Sequence, residues 1–81
     1  MKNNGGFPHR AVVEARKSRY VPGTRVELLS MDDQYNTKLN PGDRGTVTFV
    51  DDTGTVFVAW DCGSSLGAVY GVDRIRRVDE P

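Results

Sequence analysis

The chain has 81 residues, a net charge of zero and one cysteine. Its length allows one small domain, which buries only about 60% of its unfolded surface. The single Cys62 excludes an internal disulfide, and no ligand set for a structural zinc accompanies it. No window approaches the ~18 apolar residues of a membrane span. The start, MKNNGGFPHR, lacks the apolar region of a secretory signal. A cytoplasmic protein, a monomer that makes no membrane contact, is the simplest expectation.

Residues 1–20 form a basic arm with a net charge of +4, and residues 21–81 form the body with −4. An arm of this kind either docks on its own acidic body or meets an external anion such as a nucleic acid phosphate. Residues 1–8 have no periodicity and are expected to be disordered. Residues 9–20, HRAVVEARKSRY, suit a short helix, with Pro8 fit for its first position. Its apolar stripe is thin, so the helix needs a tertiary contact, expected from Val13 or Tyr20.

The body opens at Val21-Pro22-Gly23, a turn that stops the helix. TRVELL (24–29) alternates and predicts a half-buried strand. Residues 30–43 form a polar loop pinned by Met31, Tyr35 and Leu39. RGTVTFV (44–50) and TVFVAW (55–60) flank a DDTG turn and predict a hairpin. SSLGAVY (64–70) and DRIRRV (73–78) supply two more strands. Five short strands separated by turns predict a mainly β protein, a small barrel or sandwich. The expected core is Val26, Leu28, Val47, Val56, Val58, Trp60, Leu66 and Ile75.

The ordered pieces PGDRGTV, VDDTG, WDCGSSL and GVD, spread over Tyr20 to Val78, resemble a family of small bacterial and phage proteins. That family is domain of unknown function number 4314. The resemblance implies a five-stranded SH3-like barrel and implies no activity. The family usually carries Asn at the position Cys62 holds here, a change compatible with the turn if Gly63 takes a positive φ. PGDRGTVTFVD is also similar to the KOW motif of ribosomal proteins and elongation factors, which implies RNA contact.

Catalytic chemistry is poorly represented. His9 is the only histidine and lies apart from the body, so no nucleophile–base set forms around it. The aspartates cluster in predicted turns, where they cap their own backbone. No calcium-loop spacing recurs among them. No enzyme, cofactor or metal is expected.

Binding is better represented. If Val56, Val58 and Trp60 face inward, Phe57 faces outward. A bulge at Thr48 or Phe49 lets both Val47 and Val50 reach the core and turns Phe49 outward beside Phe57. That pair is either exposed or covered by Val12 or Val13 of the arm. On the last strand, an inward Ile75 leaves Arg74 and Arg76 as an outer basic stripe. The candidate binding residues are therefore Phe49, Phe57, Arg74 and Arg76, with Arg16, Lys17 and Arg19 on the arm. The leading expectation is a non-enzymatic interaction module that binds a protein partner. Alternatives are an RNA- or DNA-binding accessory protein, or a phage or mobile-element inhibitor of a host enzyme.

Overall fold

A computed structural model describes residues 9–31 and 39–79. Pro8, Tyr35 and the expected disordered start lie outside the described residues. One helix precedes five strands: α1 (Arg10–Arg19), β1 (Arg25–Ser30), β2 (Arg44–Val50), β3 (Val56–Trp60), β4 (Gly67–Ala68) and β5 (Arg74–Arg77).

The helix starts where His9 caps it. The His9 Nδ1 accepts a hydrogen bond from the Ala11 N–H at 3.1 Å, satisfying one of the free N–H groups of the first turn. His9 thus has a structural task that its isolation in the sequence does not suggest. Arg16, Lys17 and Arg19 fill the last turn, where cations complement the helix dipole. Pro22 and the left-handed Gly23 (φ +96°) turn the backbone into β1.

The strands form one antiparallel sheet in the order β4-β3-β2-β1-β5. The expected mainly β fold is present, but the sheet does not close into a barrel. The edge strands β4 and β5 pair with no further strand among the described residues. Yet residues 69–73 connect them through a tight turn, in which the Val72 N–H donates to the Val69 carbonyl at 3.1 Å. A flat sheet would hold these edges about 19 Å apart. A turned five-residue link reaches less, so the sheet must curl until its edges approach. Closure fails because the fourth strand shrinks from the expected 64–70 to Gly67–Ala68. The segment before it is engaged in a turn, with the Trp60 N–H on the Ser64 carbonyl and the Gly63 N–H on the Trp60 carbonyl, both 2.9 Å. Gly63 adopts φ +100° there, a conformation that suits glycine, and Cys62 beside it is exposed.

The concave face holds the core: Val26, Leu28, Val47, Val56, Val58 and Trp60, as the alternation predicts, with Leu66 and Ile75 partly buried against them. Tyr20, Leu39 and Ala68 complete it. Trp60 donates its indole N–H to the Leu66 carbonyl at 2.9 Å, so its one polar group is satisfied. Leu39 pins the end of the long loop to the core, as its apolar character suggests.

The convex face carries charge. Glu27 stands in the central part of the sheet, opposite Arg44 on β2 and Arg76 on β5. Its Oε1 accepts from Arg76 at 2.8 Å and from Arg44 at 3.2 Å. Arg25 grips Asp61 with two hydrogen bonds, of 2.8 and 2.6 Å. Arg76, and to a lesser extent Arg44, hold the Glu27 carboxyl below its ordinary range. A depressed carboxyl pKa stabilises the fold above the unfolded carboxylate range, and that contribution is lost as pH falls through the folded value. Glu27→Gln is therefore expected to lower stability to urea at pH 7. The deficit should vanish at about pH 2, below both values. Equal deficits at the two pH values would show that the arginines do not act through the charge of Glu27.

Candidate functional site

The hairpin builds the most distinctive surface. β2 and β3 pair regularly from Gly45↔Trp60 to Val47↔Val58, then shift register before Phe49↔Phe57 and Val50↔Val56. Thr48 is the extra residue, so the bulge falls where the valine spacing places it. The Thr48 hydroxyl donates to the Phe57 carbonyl at 3.1 Å, giving the irregular site its own tether. Beyond the bulge, Val50 packs against the core and Phe49 turns to the convex face.

Phe49 and Phe57 stack there, with ring centroids 4.6 Å apart and planes 14° from parallel. Phe57 is half-buried. Its ring lies over Gly67, its partner on β4. A Cβ at position 67 would sit 3.2 Å from two Phe57 ring atoms and 2.7 Å from Thr55 Cγ2, so this glycine makes room for the ring. Phe49 remains 51% exposed. One side of it borders a shallow groove of about 280 Å³ with Lys17, Tyr20, Pro22 and Val50.

Phe49 keeps half of its surface exposed. Val13 is buried, and α1 is fastened to the hairpin turn. Arg16 Nε donates to the Gly54 carbonyl at 2.8 Å, and Lys17 Nζ pairs with Asp52 at 2.9 Å. The turn that receives them is fixed by Asp51, whose Oδ1 accepts from the Thr53 and Thr55 N–H groups at 2.9 and 3.0 Å. The Arg16 guanidinium lies over the Tyr20 ring at 5.6 Å and the Tyr70 ring at 5.1 Å. Burial pushes its pKa down from the ordinary arginine value, and the two tyrosines oppose that shift. Arg19 also lies over Tyr20, at 5.6 Å, and its Nε reaches the Tyr20 hydroxyl at 3.4 Å.

The seven candidate residues thus separate into groups. Phe49 and Phe57 come together on the convex face. Arg16 and Arg74 line a second groove with Tyr70, on the other side of the helix clamp. Lys17, Arg19 and Arg76 are engaged with partners inside the molecule. The outer stripe of Arg74 and Arg76 does not form as a free basic surface. The reason is register: β5 places Arg76 opposite Glu27, while an irregularity between Leu28 and Ser30 sets Arg74 against Ser30. Arg77 lies in the inward phase, opposite Val26, and its Nη1 donates to the Arg19 carbonyl at the end of α1, at 3.4 Å.

Sequence reasoning missed Tyr70 as a functional candidate. Its only sequence signal is an aromatic residue next to the turn glycine Gly71. Its importance comes from Arg16, fifty-four positions earlier in the sequence.

Residues 9–78 match the family described as a domain of unknown function, DUF4314. The chain belongs to this family. The match takes in α1 and all five strands, so the helix is part of the family's domain and not an appendage to it. No curated protein and no solved structure matches the sequence. Among the described residues no helix is long and apolar enough to cross a membrane.

Proposed function

We propose that this DUF4314 protein is a non-enzymatic interaction module that recognises a protein partner through Phe49 and Phe57. The observation that carries this is the stacked pair itself, whose outer ring is half exposed on the face that also carries the Arg25 and Glu27 ion pairs. Aromatic side chains are the usual anchors of protein interfaces, because they bury large areas with few rotatable bonds. The neighbouring groove at Tyr20 and Pro22 offers a partner side chain a place to insert. Engagement of Lys17, Arg19 and Arg76 within the molecule favours a protein over a nucleic acid, whose binding depends on available cations. The strand order supports a relationship to SH3-like barrels, here opened at one seam. An inhibitor from a phage or mobile element is the case in which the partner is a host enzyme, and such a module would work in the cytoplasm.

The test uses immobilised wild-type protein and Phe49→Ala to capture proteins from an extract of the source organism. The variant should stay folded, because stacked aromatic pairs contribute only about 0.5–1.5 kcal/mol beyond burial. Its affinity for the captured partner should fall at least about tenfold, or 1.4 kcal/mol, with little dependence on salt. Undiminished capture by Phe49→Ala would overturn the proposal. So would tight binding of single-stranded RNA or DNA that weakens steeply with salt.

A further inference from the structure

The turn between β4 and β5 presents Val69, Tyr70 and Val72 to solvent, at 43, 43 and 48% exposure. It is nonetheless a fixed platform. The Asp73 N–H donates to the Val69 carbonyl at 2.9 Å, and Asp73 Oδ2 accepts from the Val69 N–H at 2.9 Å. Tyr70 on this turn holds the Arg16 guanidinium at 5.1 Å. Gly54 holds the same guanidinium through Nε. Arg16 is thereby fixed from two parts of the sheet, and its two terminal amines have no hydrogen-bond partner among the described residues.

Arg16 and Tyr70 line a groove of about 330 Å³ together with Gly71, Asp73, Arg74 and Ile75. Arg74 is exposed and has no ion-pair partner among the described residues. The groove thus brings together two cations and one carboxylate, the latter already accepting from the Val69 N–H. A pre-positioned guanidinium with free terminal amines fits a carboxylate in a two-pronged contact, with little ordering left to do on binding.

We propose that this groove binds a carboxylate of the protein partner, with Arg16 as the fork and Arg74 as the second cation. The partner's carboxylate comes from an Asp or Glu side chain or from its terminal carboxyl group. The planar guanidinium fork matches the two oxygens of a carboxylate. This assignment rests on the interaction-module proposal and adds a charged anchor to its aromatic one.

The test is an NMR titration of the full-length protein that follows the Arg16 Nε–Hε signal and the amides of residues 70–74. Four probes are compared: N-acetyl-aspartate amide, N-acetyl-glycine, N-acetyl-asparagine amide and inorganic phosphate. At least one of the two carboxylate probes should shift these signals and approach saturation by about 50 mM, as expected for a millimolar contact. The tighter of the two identifies the side-chain or terminal source. Arg74→Ala, a change at an exposed position, should weaken binding roughly threefold to fivefold and leave the α1 amides in place. Absence of shifts, equal shifts with the neutral asparagine probe, tighter binding of phosphate, or unchanged binding by Arg74→Ala would each overturn the assignment. None of these outcomes involves the phenylalanines, so this site and the Phe49 face can fail independently.

Discussion

Replacing Gly45 with alanine is expected to cost about 3 kcal/mol, the upper end of what overpacking a well-filled site costs. The residue is buried in β2 opposite Trp60. A Cβ there would lie 2.5 Å from Val58 Cγ1, 2.8 Å from the Ala59 carbonyl oxygen and 2.9 Å from Trp60 Cα. Two of those three atoms are backbone in a paired strand, so no rotamer change can clear them. A protein of this length has a total stability of roughly 4–12 kcal/mol. The loss should therefore lower Tm by about 12–24 °C in thermal unfolding followed by circular dichroism. Gly42→Ala is the informative control. Gly42 has φ +98° and open space around it, so its substitution carries only the left-handed penalty of about 1–2 kcal/mol. A smaller loss at Gly45 than at Gly42 would mean that close approach of β2 and β3 is not what the glycine permits.

Arg16→Ala is expected to release α1 from the hairpin and cost about 2 kcal/mol, from a charged hydrogen bond and two ring contacts that do not add fully. The corresponding fall in Tm is about 8–16 °C. Alanine is the best helix former, so the helix itself gains propensity while its docking fails. The diagnostic readout is hydrogen exchange: amides of α1 and of residues 51–55 should lose protection more than those of β1. Arg16→Lys should recover only part of the loss, since an ammonium cannot bond Gly54 and stack on Tyr20 and Tyr70 in the same way. Unchanged protection of α1 in Arg16→Ala would show that Val13 and Tyr20 dock the helix without the clamp.

Much of this architecture is legible in the sequence because period-two patterns report burial directly. Val26/Leu28 and Val56/Val58/Trp60 announce their faces, and Val47 with Val50 calls for a bulge at Thr48 or Phe49, which occurs at Thr48. The failures share a cause: each depends on residues far apart in sequence. Gly67 reads as an ordinary position of a strand over 64–70, whereas Phe57 leans over it. Arg76 reads as available until register sets it opposite Glu27. The groove of Arg16, Tyr70 and Arg74 joins α1 to the β4–β5 turn, and no local pattern encodes that meeting.

The bulge at Thr48 also makes the exposure of Phe49 a matter of parity. In a regular strand, positions 47 and 50 fall on opposite faces. One supernumerary residue brings both valines inward, and the same step turns the intervening ring outward. Core filling and ring display are therefore a single choice made by residue count. Pairing this stretch regularly with every residue kept would not trade one property for the other, because it would withdraw Val50 from the core and Phe49 from the surface together.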